Sequence, residues 1–335
     1  MIKKIFCTLS VVTLLLCSLY ACKSDSADPS YQKITLNEVA HSIFYAPQYV
    51  AVEKDYFKDE GIEIELMTGF GADKVMTSLL SGDTQIGFMG SEASVYTWQE
   101  GAEDQMVNFA QLTQRAGNFL VARKEMPNFK WTDLKGKNVI GGRKGGMPEM
   151  VFEYILKKNN LEPFKDVSID QNIDFGSTGA AFSGGKGDFT VEFEPGATLL
   201  EGEGVGVVAA SLGVDSGYVP YTAYCAKDSY IKSNRETIQH FTNALQKGMD
   251  FVSTHSSKEI AEVISPQFKE TSPATIEKIV DRYKKQDTWK KDLIFQKESF
   301  DLLLDILDSA GELKKAAPYD RLVNTSFAEK AAGLP

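Results

Sequence analysis

The chain has 335 residues and a mass of 37.0 kDa, long for one small domain and suited to two of moderate size. Apolar residues make up 43% and charged residues 24%, the balance of a globular chain rather than a disordered one. Acids outnumber bases 46 to 36 for a net charge of −10, which disfavours nucleic acid as a partner, and the one apolar run near membrane length excludes a multi-span transporter.

That run opens the chain. Lys3 and Lys4 precede an apolar stretch over residues 5–20, and Leu19-Tyr20-Ala21-Cys22 is followed by a polar segment to Ser30. A positive start, a short apolar run and small residues at its end predict a secretory signal over 1–21. The Leu-x-Ala-Cys ending resembles the lipobox of bacterial lipoproteins. The resemblance implies cleavage before Cys22, a diacylglycerol anchor on its thiol, and residence on the extracytoplasmic face of the cell membrane. Residues 22–30 then read as a tether. Cys7 and Cys17 leave with the signal and Cys22 carries lipid, so Cys225 stands alone, unable to form an intramolecular disulfide or a cysteine-based metal site.

Beyond the tether, strands and helices alternate. Residues 33–39 read as a strand, 48–58 as a helix opened by Pro47 and closed by Gly61, and 62–66 as a half-buried strand by its period of two. Residues 72–81 read as a helix with Val75, Met76, Leu79 and Leu80 on one face, and 85–89 as a buried strand. A β-α-β-α-β series predicts a mostly parallel sheet with helices on its faces. A second series follows, with strands at 119–122, 138–141, 167–169, 189–193 and 205–210 and helices at 148–158 and 197–201. Residues 221–226 are again strand-like. Helical patterns then run to the end, at 235–253, 258–264, 273–285 and 297–309.

The fold class expected is therefore α/β, with two α/β lobes joined by two hinge crossings and a helical C-terminal part packed on the first lobe. Residues 31–115 plus 228–335 would form one lobe and 116–227 the other. A ligand is expected in the cleft, where loops at the carboxyl ends of strands converge.

Several segments carry a family resemblance. His41-Ser42-Ile43-Phe44-Tyr45-Ala46-Pro47-Gln48-Tyr49-Val50-Ala51, followed by Tyr56-Phe57-Lys58-Asp59-Glu60-Gly61-Ile62, resembles the opening of solute-binding proteins of ABC importers. The branch is that for sulfonates, taurine, nitrate and thiamine pyrimidine precursors. Leu80-Ser81-Gly82-Asp83-Thr84-Gln85-Ile86-Gly87-Phe88-Met89-Gly90-Ser91, Asp133-Leu134-Lys135-Gly136-Lys137, Gly184-Gly185-Lys186-Gly187-Asp188 and Phe193-Glu194-Pro195-Gly196-Ala197 match in order. The resemblance spans nearly all of 31–310 and implies a type 2 periplasmic-binding-protein-like fold, a monomer, and permease and ATPase subunits as partners. No cofactor or metal is expected.

The loops nominate the contacts. Residues 40–47 lie between a strand and a helix, so His41, Ser42, Phe44 and Tyr45 can face the cleft. Phe44 could equally pack in the core, and His41 could be a satisfied structural histidine. Ser91 would cap the helix beginning at Glu92, whose N-terminus could also meet an anion or a carbonyl. In Gly141-Gly142-Arg143-Lys144-Gly145-Gly146-Met147-Pro148 the glycines allow backbone to approach a ligand at Gly145, Gly146 and Met147, but the loop lacks the P-loop pattern. Asn118 and Tyr221 complete the candidate set. Period two places Glu192 and Glu194 on one face. A carboxylate in the cleft suits an amino-substituted heterocycle and repels a sulfonate. A thiamine pyrimidine precursor or similar vitamin is thus expected ahead of a flavin-like ligand, and of taurine, an alkyl sulfonate or another small anion. An enzyme on the same fold, such as a pyrimidine synthase, is the other class. Its cysteine-rich motif is missing here, and no nucleophile–base set is evident.

Overall fold

The computed structural model describes residues 31–174 and 176–334, so the expected signal over 1–21, Cys22 and the expected tether lie outside the described residues. Two five-stranded sheets organise the chain. The first contains β1 (Gln32–Glu38), β2 (Ile62–Thr68), β3 (Ile86–Gly90), β4 (Met106–Thr113) and, from much later in the chain, β10 (Thr222–Lys227), in the order β2-β1-β3-β10-β4. The second contains β5 (Phe119–Ala122), β6 (Asn138–Ile140), β7 (Ser168–Asp170), β8 (Phe189–Glu192) and β9 (Val207–Ser211), in the order β7-β6-β8-β5-β9.

Both sheets are mixed. β1 runs parallel to β3, with Leu36 opposite Ile86, and β6 runs parallel to β7 and β8. The exceptions are the strands nearest the crossings. β10 is antiparallel to β3 and β4, and β5 is antiparallel to β8 and β9. The chain crosses between sheets after Thr113 and returns after Ser211. The strand 222–227, expected at the end of the second lobe, thus lies inside the first sheet. Residues from Lys33 onward form one compact unit.

Helical periodicity located the helices well. Ala72–Ser81 buries Val75, Met76 and Leu79 and ends at Gly82, whose φ of 89° is a left-handed cap that glycine adopts without strain. Pro273–Lys285 starts on a Ser272 side-chain cap and buries Ile276, Ile279, Val280 and Tyr283. The helix expected over 48–58 is instead two, Ala46–Glu53 and Tyr56–Asp59, because Asp55 turns left-handed at φ 56°. β4 escaped the sequence reading. All eight of its residues are buried, yet Asn108, Gln111 and Thr113 interrupt its apolar run.

Aromatic packing ties the first sheet to the C-terminal helices. Tyr224 of β10 stacks on Phe88 of β3 at 4.2 Å and meets Phe241 of the helix Arg235–Thr254 at 5.4 Å. That helix packs on Ala46–Glu53, while Lys297–Ser309 also reaches the helix Met147–Lys158 beside the second sheet. Among the described residues no helix is long and apolar enough to cross a membrane.

Candidate functional site

A cavity of about 2150 Å³ opens between the two sheets. Its walls include residues at and after strand ends: 39–42 and Tyr45 after β1, Gly90 and Glu92 at the end of β3, the glycine-rich loop after β6, and Glu192 to Gly196 at the end of β8. The segment after β1 is fixed from beneath. The buried Glu38 carboxylate accepts from Gln48 Nε2 at 2.7 Å, Tyr49 Oη at 2.8 Å and Thr68 Oγ1 at 3.2 Å. His41 also points at Glu38, with Nδ1 2.8 Å from Oε1, and its Nε2 lies 2.9 Å from the Gln267 carbonyl oxygen. Burial favours the neutral ring, but the bonds to Glu38 and Gln267 outweigh it and raise the pKa above its ordinary value. His41 therefore edges the cavity while both its nitrogens are engaged by protein, the structural alternative.

The aromatic wall divides into two layers. Tyr45, Phe193 and Tyr221 line the cavity. Phe44 does not. It is fully buried behind them, with ring centroids 5.2 Å from Tyr45, 5.8 Å from Phe193 and 5.7 Å from Tyr221. The candidate contact at Phe44 is thus corrected to a packing role. Tyr221 donates from its hydroxyl to Asn118 Oδ1, so both candidates at the crossings reach the cavity together. Ser42 caps the turn Ile43–Tyr45 and donates 2.9 Å to the Glu194 carbonyl oxygen.

Ser91 is a second correction. It makes no side-chain cap on Glu92–Gln99; its hydroxyl donates to the Pro220 carbonyl oxygen, tying β3 to the segment entering β10, and it lines no part of the cavity. Gly145, Gly146 and Met147 do line it. Tyr96 Oη donates 2.8 Å to the Gly145 carbonyl oxygen, which holds the glycine-rich loop against the first sheet's helix.

The two glutamates after β8 separate in role. Glu194 is claimed by protein: Arg282 pairs with Oε1, Thr198 Oγ1 donates to Oε1 at 3.0 Å, and the Thr198 N–H donates to Oε2 at 2.8 Å. An incoming amino group would have to displace Arg282, so Glu194 is corrected from ligand acceptor to structural ion pair. Among the described residues Glu192 has no cationic partner. Thr190 Oγ1 donates to it at 2.9 Å, Thr178 hydrogen-bonds it, and burial pushes its pKa up to about 7. Glu92 is 3% exposed, and burial pushes it up to about 8. Charged groups buried in this cavity are therefore acids. Its Lys and Arg side chains, Lys74, Arg143, Lys144 and Lys314, are exposed. Arg143 pairs with Asp73 at 2.8 Å, Lys144 with Glu312 at 3.8 Å and Lys314 with Glu100 at 2.6 Å.

Tyr96 and the unpartnered oxygen of Glu92 were the features sequence reasoning missed. A tyrosine one turn after Glu92 on the same helix face was the available signal. Cys225 is buried with its thiol pushed up to about 12, which leaves it protonated and without nucleophilic character. Among the described residues no group of three or more His, Cys, Asp or Glu is placed to hold a metal.

Residues 43–258 match the family model described as NMT1/THI5 like, and the chain belongs to that family. It is 46% identical over 316 residues to "Putative binding protein YtlA" of Bacillus subtilis (strain 168), with 94% of each chain covered. Solved structures share the fold at low identity. The ligand-binding component of an ABC-type import system from Staphylococcus aureus has a TM-score of 0.73 at 16% identity, covering 90% of this chain and 99% of that one. The alkanesulfonate-binding protein SsuA from Xanthomonas axonopodis pv. citri has 0.70 at 14%, covering 90% and 100%. The periplasmic nitrate-binding protein NrtA from Synechocystis PCC 6803 has 0.68 at 16%, covering 90% and 89%. The expected two-lobed binding-protein architecture is thereby met.

Proposed function

We infer that this member of the NMT1/THI5-like family is the solute-binding protein of an ABC-type importer and captures a small amino-substituted aromatic heterocycle, of the kind of a thiamine pyrimidine precursor. Glu192 carries the choice of ligand: a buried carboxyl group on the cavity wall with no cation beside it. Such a group costs free energy until a donor meets it, and it repels a sulfonate or nitrate. Tyr45, Phe193 and Tyr221 offer faces for a planar ring. The lobes would close on the ligand by bending at the crossings near 114–118 and 212–221. The Leu19-Tyr20-Ala21-Cys22 ending supports anchoring on the extracytoplasmic face through lipid on Cys22.

Calorimetry with 4-amino-2-methylpyrimidine, taurine and methanesulfonate tests the ligand class. The aminopyrimidine is expected to bind, and Glu192→Gln to weaken it about ten- to hundredfold, the worth of one hydrogen bond to a charged group. Tight sulfonate binding that Glu192→Gln leaves intact or improves would sink this reading. For the anchor, the intact mass of the membrane-fraction protein should carry a diacylglyceryl adduct that Cys22→Ala lacks; an unlipidated wild type removes that part of the proposal.

A further inference from the structure

The cavity has a second buried acid, one oxygen of which finds no partner among the described residues. Glu92 opens the helix Glu92–Gln99 directly after β3, in the first sheet, while Glu192 ends β8, in the second. Glu92 folds back over Gly90, where any Cβ would overlap its carboxyl oxygens. Hydrogen bonds from the backbone N–H groups of Glu92 and Met147 hold the carboxyl group, yet Oε2 has no hydrogen-bond partner. Glu192 is held by two threonine hydroxyls, which leave part of its acceptor capacity open. Both side chains line the cavity, both are buried, and among the described residues neither forms a salt bridge; the rim cations Arg143 and Lys144 pair with Asp73 and Glu312. Glu92 comes from the helix after β3 and Glu192 from the end of β8, so the two acids reach the cavity from different sheets. Tyr45 and Tyr221, also on the wall, are close enough to feel the Glu92 charge.

We propose that the cavity selects a solute with two nitrogen donors at opposite ends, one received by Glu92 from the first sheet and one by Glu192 from the second, with the body of the solute against Tyr45 and Tyr221. This rests on the donor-binding reading above and adds the number of donors and the second acceptor. A buried carboxyl oxygen without a partner is costly, and a donor reaching Oε2 removes that cost. A solute gripped by one acid from each side binds the closed arrangement better than the open one, the differential affinity that closure requires. Burial has raised both acids into the neutral range, so an arriving ammonium or amidinium group can convert either to its ionised, paired form.

The test is calorimetry with α,ω-diamines of two to eight carbons and p-xylylenediamine, each against the monoamine of the same skeleton, on wild type, Glu92→Gln and Glu192→Gln. The length series removes any need to know the spacing in advance. At one length or more the diamine should bind wild type about ten- to hundredfold tighter than its monoamine. Each variant should reduce that diamine to the monoamine's affinity. A cooperative unfolding transition in each variant would show that it is folded, and the wild-type comparison stands even without the variants. Monoamines or the aminopyrimidine binding with no diamine advantage at any length would overturn the two-donor inference while leaving the donor-binding reading intact. No amine or aminopyrimidine binding, with sulfonate binding present, would overturn both.

Discussion

Single residues in the cleft carry opposite electrostatic assignments at short range. Glu194 lies two residues from Glu192 and has Arg282 for company, and Arg282 Nη2 also reaches Glu201 Oε2 at 2.8 Å. Breaking one side of such a buried pair typically costs about 3–5 kcal/mol, because the other charge is left unpaired. Glu192 instead is an acid whose folded pKa, about 7, exceeds its ordinary 4.5 through burial. The folded chain holds that proton more tightly than the unfolded chain. The stability it lends is therefore full below about pH 4.5 and is lost as the pH rises through 7. At about 1.4 kcal/mol per pKa unit the loss is roughly 3–4 kcal/mol. Glu192→Gln should accordingly unfold at a less pH-sensitive temperature than wild type between pH 5 and 8.5, and should be the more stable of the two at the alkaline end. Superimposable pH profiles would mean that the carboxyl group is ionised throughout.

At the scale of elements, a close helix contact positions the loop that carries Tyr45. Gly248 of the helix Arg235–Thr254 faces Ala46–Glu53 so tightly that a Cβ would overlap the Pro47 carbonyl oxygen and approach Ala51 Cβ to 3.3 Å. On an open helix face Gly→Ala gains about 1 kcal/mol by propensity. Here the overlap is with backbone, which cannot swing aside, and overpacking typically costs about 1–3 kcal/mol. Gly248→Ala should therefore be destabilised in chemical denaturation; a gain in stability would show that the two helices can part freely. Periodicity exposed the helices that bury one stripe, such as Pro273–Lys285, because apolar spacing is local information. β4 was hidden because polar side chains interrupt its apolar run, and two of them find partners that are distant in the chain. Asn108 Nδ2 donates to Ser94 Oγ at 2.8 Å, and Thr113 Oγ1 lies 2.6 Å from Thr222 Oγ1.

For the whole molecule, the two sides of the cleft are held unequally. Near the crossings the contacts are buried: Tyr283 Oη donates 3.0 Å to the Gly117 carbonyl oxygen, and Gln286 Nε2 donates 3.1 Å to that of Ala116. Across the glycine-rich loop the ion pairs Arg143–Asp73 and Lys144–Glu312 have exposed cations, and such pairs contribute about 0–1 kcal/mol each. The firm side would act as the hinge and the weak side as the mouth. The cavity volume, about 2150 Å³, exceeds the roughly 300–1,000 Å³ usual for small-ligand sites, which leaves room for closure. Small-angle scattering of a ligand-saturated sample should give a smaller radius of gyration than the free protein. An unchanged radius at saturation would show that binding proceeds without closure.

The sequence by itself determined the α/β class, the family resemblance, most helix positions and the loops that line the cleft, because these follow from spacing and composition along a continuous stretch. Eleven candidates met the cavity: His41, Ser42, Tyr45, Glu92, Asn118, Gly145, Gly146, Met147, Glu192, Glu194 and Tyr221. Tertiary structure alone decided what each can do there. Period two cannot distinguish Glu192 from Glu194, since the difference is Arg282, some ninety residues away in the chain. Nor can it place Phe44 behind Tyr45, or turn Ser91 from a helix cap to the Pro220 carbonyl. The free oxygen of Glu92 is likewise a property of the folded surroundings, because a carboxyl group becomes costly only where the fold removes water without supplying a donor.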